Sequence, residues 1–186
     1  MQLKVNRFLP LPIAVIVLAS AAGAVEAVQD TKDASKPVAL DRQHPATLAQ
    51  LMRATLYTES NVVFAAQTID PATIPRAQRP SAATDPLNGV YGNWEAVENE
   101  SLAMAETASL LEVPGRVCSN GRPVPVNNAD WVKLVDGLRD ASMKSYEAAK
   151  SKSQDNILEA ADVLTTACAN CHQKYRDKAK LEDRCK

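Results

Sequence analysis

The sequence predicts an all-α protein, an antiparallel four-helix bundle, and three observations lead to this expectation. Of its 186 residues, 46 % are hydrophobic and 23 % are charged, a balance that favours one packed core. Four segments place apolar residues at the three- and four-residue spacing of an amphipathic helix. No segment alternates with the two-residue period of a strand. Four such helices in one domain are typical of a bundle that runs up-down-up-down.

The four predicted helices are separated by two connections, 68–93 and 112–128, that are rich in Pro and Gly and cannot be regular helix. Ser, Thr, Asp or Asn before an apolar stripe indicates where a helix begins. On this basis the predicted helices run from a Thr47 cap to about Gln67, from about Asn93 to Leu111, from an Asp130 cap through Lys150, and from a Ser153 cap to about Lys180.

The N-terminal segment is typical of a secretory signal peptide. Lys4 and Arg7 precede an apolar run over 8–19, and small residues follow, with cleavage expected after Ala24 or Ala27. The run is shorter than the roughly 20 apolar residues of a membrane-spanning helix, and prolines interrupt it. We therefore expect export to the periplasm.

The predicted organisation is a signal peptide over 1–27, a flexible lead-in over 28–46 and one domain over 47–186. No second apolar segment is long enough to span a bilayer, so no membrane span is expected after cleavage. The formal net charge of −1 argues against a nucleic-acid-binding protein, which normally carries a basic excess.

The chemistry-bearing residues are concentrated on the fourth predicted helix. Cys168, Cys171 and His172 lie at positions i, i+3 and i+4, so both thiols and the imidazole share one face. Cys-x-x-Cys-His is the signature of covalent c-type haem attachment, in which two thioether bonds hold the porphyrin and the imidazole binds the iron. The same face forms an apolar stripe of Ile157, Ala161, Leu164, Cys168, Cys171, Tyr175 and Ala179.

Three other interpretations of this motif remain open. A thioredoxin-like dithiol would be a thiol oxidoreductase, although that motif normally opens a helix after a strand. A zinc site needs a second pair of ligands, whereas Cys118, Cys185 and His44 are scattered singly. An ordinary disulfide across two residues of one helix would be strained.

Residues 168–176, Cys-Ala-Asn-Cys-His-Gln-Lys-Tyr-Arg, resemble the class II c-type cytochromes, the cytochrome c-prime group. That family carries C-x-x-C-H-x-x-aromatic-basic on the last helix of a four-helix bundle, and the resemblance extends over about Thr47 to Lys180. It implies one haem c near the C-terminal end of the last helix. By this resemblance Cys168 and Cys171 form the thioether bonds, His172 is the proximal ligand, Tyr175 packs on the haem, and Arg176 lies near a propionate.

The sixth ligand of the iron is expected among Met52, Met104, Met143 and His44. In an up-down-up-down bundle, Met52 and Met104 fall at nearly the height of His172, whereas Met143 is a poorer match. His44 lies in the predicted lead-in and is expected at the surface. The resemblance favours Met52, because low-spin family members take a methionine from the first helix.

Two functions follow from these alternatives. With His172 and Met52 both bound, the protein would be an electron carrier that serves redox partner proteins through a small, weak contact. Without a methionine ligand, it would be a five-coordinate protein that binds NO or CO. No motif for substrate turnover is present, so we do not expect an enzyme, and the resemblance implies a homodimer.

The two remaining cysteines predict a disulfide. Cys118 lies between the second and third helices, and Cys185 lies just past the fourth. The up-down-up-down arrangement places both at the haem end, and an oxidising compartment permits their pairing. We therefore expect a Cys118–Cys185 bond.

Overall fold

The computed structural model describes residues 45–79 and 86–185, all within the compact unit Asp41–Lys186. The predicted signal peptide, its cleavage points, His44 and most of the predicted lead-in lie outside the described residues. Within them the α-helices are α1 (Leu48–Leu51), α2 (Tyr57–Ala65), α3 (Trp94–Ser109), α4 (Ala129–Lys150) and α5 (Gln154–Cys171).

Two π-helical turns complete this framework. Met52–Leu56 joins α1 to α2 without a break, and we call the continuous segment 48–65 the N-terminal rod. His172–Arg176 prolongs α5. Short 3₁₀ turns occur at Pro71–Thr73, Pro86–Asn88 and Leu181–Asp183.

Side-chain caps explain where three of the helices begin, and two of these caps, Thr47 and Ser153, are those predicted from the sequence. Thr47 Oγ1 accepts from the Gln50 backbone N–H at 3.3 Å while Gln50 Oε1 accepts from the Thr47 N–H at 2.9 Å, a complete capping box. Ser153 Oγ accepts from the Asn156 N–H at 3.3 Å, and Asn93 Oδ1 accepts from the N–H of the following residue at 2.8 Å.

The predicted start of the third helix, which is α4 in the structure, is wrong by two residues. Asn128 is the extended residue before α4, and Asp130 lies inside the first turn instead of capping it. The Asp130 carboxylate pairs with Lys174 of the second π turn. A long-range ion pair thus occupies the side chain that the local pattern assigned to a cap.

The first and fourth helices end earlier than predicted. The N-terminal rod ends at Ala65, with Ala66 as its C-cap, before Gln67. The fourth helix ends with Arg176 rather than Lys180, so Ala179, predicted to face the core, is exposed. The backbone turns back here, because the Cys185 N–H donates to the Tyr175 carbonyl at 2.8 Å.

The core lies where the helices pack against one another: α3 on α4, α4 on α5, and the N-terminal rod on α3. Buried serines on α3 and α4 allow the helices to approach closely, and each hydroxyl donates to the carbonyl four residues earlier. The predicted stripe of α3 is buried throughout: Trp94, Val97, Ser101, Met104, Ala108 and Leu111.

The all-α class is confirmed for the part of the chain that is described. Its only β pairing is an isolated bridge between Val117 and Pro123, and no strand occurs there. In the same residues no helix combines the length and the apolar character needed to cross a membrane.

Candidate functional site

One cavity brings the predicted site residues together. Its volume is about 710 Å³, within the range of about 300–1,000 Å³ that is typical of small-molecule sites. The N-terminal rod, α3, α4 and α5 with its π turn all contribute to the wall. The predicted ligand and contact residues that line it are Met52, Cys168, Cys171, His172, Tyr175 and Arg176.

Two of these residues begin the π-helical turns. The Tyr57 N–H donates to the Met52 carbonyl, and the Asp177 N–H donates to the His172 carbonyl at 2.8 Å, so each bond spans five residues instead of four. Single π turns inside α-helices occur frequently at functional sites. The turns change the direction in which the following side chains leave each helix.

A side chain bonds to the backbone at the first π turn. Thr55 Oγ1 donates to the Leu51 carbonyl at 2.8 Å, a type of bond that often accompanies a bend in a helix. Apolar side chains around this turn line the cavity together with Met52: Leu48, Leu56 and Phe64.

The thiols of Cys168 and Cys171 are half-buried and are not bonded to each other. Burial raises the pKa of Cys168, although the charge of Arg176 opposes this shift. Burial, reinforced by Cys168, raises the pKa of Cys171 to about 11. Both sulfurs are therefore protonated thiols at neutral pH.

His172 is held as a neutral imidazole. Burial lowers its pKa first, and the positive charge of Arg176 lowers it further, while Asp177 opposes the change. Neutral imidazole is the form that binds a metal. Within the described residues, no side chain forms a hydrogen bond with this ring.

The aromatic and basic residues of the motif have partners of their own in the protein. The Tyr175 ring meets Trp131 edge to face at a centroid distance of 4.9 Å, and Trp131 Nε1 donates to the Leu111 carbonyl at 3.0 Å. Arg176 Nε donates to Asp177 Oδ1 at 2.7 Å, and Nη2 donates to Oδ2 at 3.1 Å.

The structure separates the methionine candidates into two groups. Met52 is half-buried and Met104 is 1 % exposed, and both line the cavity. Met143 is 39 % exposed and does not line it. Met52 and Met104 therefore share the cavity with His172 while Met143 does not, and the choice of a methionine ligand stays a prediction.

The predicted disulfide is the one found. Cys118 and Cys185 are bonded across 67 residues, and Cys185 also lines the cavity. We call residues 177–185 the C-terminal strap. Asn120 Nδ2 donates to the carbonyls of Glu182 at 2.9 Å and Arg184 at 2.8 Å, so hydrogen bonds reinforce the covalent tether.

Sequence reasoning missed part of the wall. Arg53, Tyr57 and Asn61 are exposed at the surface and also line the cavity. Their four-residue spacing, which places them on one helix face beside Met52, is the signal that could have found them.

The described residues, those of the cavity included, contain no group of three or more His, Cys, Asp or Glu side chains that could hold a metal ion by themselves. Comparison with protein-family models, with curated proteins and with solved structures found no match to this chain.

Proposed function

We propose that this chain is a periplasmic c-type cytochrome that carries single electrons between redox partner proteins. One haem c would be held by Cys168, Cys171 and His172, with Met52 as the second axial ligand. The observation that carries the proposal is that two free thiols, a neutral imidazole and a thioether line one cavity. The homodimer implied by the family resemblance stays a prediction.

The two thiols, the imidazole and the Met52 thioether are the types of side chain that hold haem c. Each thiol would add across a vinyl group of the porphyrin, so that its S–H bond breaks while an S–C and a C–H bond form. Protonated thiols supply both atoms that this addition needs, and no oxidant is required. When bound, haem c supplies a one-electron iron couple, whose potential a methionine sulfur raises.

The proposed architecture is the antiparallel four-helix bundle. The packing of consecutive helices supports it, because α3 contacts α4 and α4 contacts α5. In this arrangement Met52, near the start of the N-terminal rod, and His172, near the end of the last helix, belong to the same end of the bundle. The cavity that both residues line supports this placement.

Thiol chemistry is less well supported. The nucleophilic cysteine of a dithiol oxidoreductase has a lowered pKa, whereas the pKa of Cys171 is raised to about 11. The motif also lies at the end of an 18-residue helix rather than at the beginning of one.

A five-coordinate protein that binds NO or CO is the second candidate. The apolar wall around Met52, which includes Leu56, Phe64 and the buried Met104, favours it. If neither sulfur binds iron, these side chains would surround a small apolar space suited to a diatomic ligand.

The test is to produce the chain in a host that installs haem c. We expect a protein whose mass is raised by one haem, whose colour survives acid-acetone extraction, and whose ferric spectrum is low-spin. Cys168→Ser with Cys171→Ser should lose covalent colour, while the matched pair Cys118→Ser with Cys185→Ser should keep it. A colourless product at its bare polypeptide mass would contradict the proposal, and a high-spin ferric spectrum would favour the second candidate.

A further inference from the structure

The exposed edge of the cavity carries a cation beside an aromatic ring. Arg53 and Tyr57 lie one helical turn apart, both line the cavity, and Tyr57 is 67 % exposed. Arg53 forms no ion pair with any residue that the structure describes. Tyrosine and arginine are enriched in protein interfaces, where they supply much of the binding energy.

The C-terminal strap, whose Cys185 lines the same cavity, contains further cations. Lys178, Lys180 and Arg184 form no ion pair within 45–79 and 86–185. Arg184 Nε donates instead to the Lys178 carbonyl at 2.5 Å, which folds the strap on itself. Cys185 lines the cavity and is bonded to Cys118, so the end of the strap that carries Arg184 is fixed next to the cavity.

Most carboxylates of the strap are already neutralised. Asp177 is paired with Arg176 at 2.7 Å, and Asp183 is paired with Arg122 at 3.4 Å. Glu182 is the remaining strap carboxylate, and it forms no ion pair with the described residues. The three cations and three carboxylates of the strap balance, and together with Arg122 and Arg176, which pair with two of those carboxylates, this region carries a net charge of +2.

This positive surface contrasts with the chain as a whole, whose formal charge is −1. Among the described residues, several carboxylates lie near the start of α3 and the start of α5 rather than in the strap, at Glu95, Glu98, Glu100, Asp155, Glu159 and Asp162.

We infer that Arg53, Tyr57 and the C-terminal strap form a docking surface for an acidic electron-transfer protein. This inference rests on the proposed function, because it places the partner against the open side of the haem cavity. Complementary charge accelerates encounter and orients the partner, and it permits a contact small enough to dissociate quickly. Leu181, 67 % exposed between the strap cations, provides an apolar contact within the charged surface.

An anionic membrane is the less suitable occupant. Membrane-surface binding normally uses an uninterrupted basic cluster or a helix with a wide apolar face. Here the strap alternates cations with Asp177, Glu182 and Asp183, and only Leu181 offers a large exposed apolar side chain within it.

The first experiment uses the unmodified holoprotein, after its covalent haem has been verified by mass and spectrum. Its oxidised form is reduced by a flavodoxin, an acidic one-electron donor, at increasing salt concentrations. We expect the rate to fall at least tenfold between low and high salt, since screening removes the attraction. A rate that is independent of salt, or that rises with salt, would overturn the inference while leaving the haem assignment intact.

The second experiment compares two variants of identical net charge. Lys178→Glu with Lys180→Glu replaces two positive charges of the strap by negative charges. Lys144→Glu, on α4, with Lys152→Glu, in the turn after it, makes the same change in net charge elsewhere and is called the α4 control. The strap variant should react with flavodoxin about tenfold more slowly at low salt, and the control should stay within twofold of wild type. Equal rates for the two variants would refute the docking surface.

A third readout does not depend on electron transfer. On a sulfonate cation exchanger at a pH below the sequence pI of about 6.1, the wild type should elute last, and the strap variant should elute earlier than the α4 control of equal net charge. Co-sedimentation with phosphatidylserine vesicles tests the membrane. Vesicle binding combined with a salt-independent flavodoxin rate would assign the surface to lipid and overturn the protein partner.

Discussion

Met52 and His172 each begin a five-residue π-helical turn, and both line the same cavity. The turns lie on different helices, 120 positions apart in sequence, and each is closed by an N–H five residues ahead. A π turn rotates the following side chains relative to a regular helix. Each of the two proposed axial ligands is thus the first residue of a π-helical turn.

Replacing Met52 tests its proposed role most directly. Met52→Ala should abolish the methionine–iron charge-transfer band at the red end of the ferric spectrum and lower the reduction potential, because a sulfur ligand raises it. Met104→Leu is the matched control, since it keeps the volume of a buried side chain and should cost less than about 1.5 kcal/mol in stability. Loss of the band in Met104→Leu and its persistence in Met52→Ala would identify Met104 as the ligand.

Removing the disulfide should release the C-terminal strap. For the 67-residue separation, chain entropy predicts that Cys118→Ser with Cys185→Ser lowers the free energy of unfolding by about 4 kcal/mol. Urea denaturation measures this loss. Limited trypsin digestion should also cut the variant at Lys178 and Lys180 faster than the wild type. Unchanged unfolding and unchanged digestion would show that the bond does not hold the strap.

Glu59 should make stability fall as pH rises. Its side chain is 8 % exposed, Oε1 accepts from Thr107 Oγ1 at 2.9 Å, and Oε2 has no partner in the described structure. Burial raises the pKa of Glu59, the Thr107 hydrogen bond opposes this, and Glu100 reinforces it. Because the folded state favours the protonated form, this stabilisation is complete below the pKa of the unfolded chain and is lost as pH rises through the raised pKa.

Glu59→Gln should therefore raise the Tm by a few degrees at pH 8 and have little effect near about pH 4, where the wild-type carboxyl is protonated. Burial also raises the pKa of Glu100, so some pH dependence remains in the variant. Glu106→Gln, at an exposed position of α3, is the control. Equal pH profiles for Glu59→Gln and the wild type would contradict this account.

The capping box should influence the first π turn through helix stability. Thr47→Ala removes the acceptor for the Gln50 N–H and should cost about 1 kcal/mol in unfolding free energy, whereas Thr47→Ser should restore most of it. Thermal unfolding of the holoprotein measures both. A serine variant as unstable as the alanine variant would show that the hydroxyl acceptor is not the cause.

The helices could be predicted from local signals because their causes are local. Thr47 and Ser153 satisfy the first backbone N–H groups of their own helices, and the apolar spacing of α3 matches its buried face. Asp130 failed as a cap because its partner, Lys174, lies 44 residues away. Ala179 failed as a core residue because the strap turns back toward Tyr175, a long-range effect that periodicity does not contain.

In the candidate site, too, features with local causes could be predicted and features with long-range causes could not. The spacing of Cys168, Cys171 and His172 placed all three correctly on one wall. Height along the helices separated Met143 from Met52 and Met104, but it could not choose between the latter two. The π turns were not predictable, since no single residue type specifies them, and the exposed side of the cavity depends on three-dimensional packing.

The four cysteines of the folded chain stand in opposite oxidation states within one neighbourhood. Cys118 and Cys185 are joined, whereas Cys168 and Cys171 are free, and three of these four sulfurs line the same cavity. Folding to this structure therefore oxidises one pair and leaves the other reduced. If the chain is exported and carries haem c as proposed, a premature cross-link between Cys185 and either motif thiol would remove an attachment point, so the order of sulfur chemistry would determine whether the holoprotein forms.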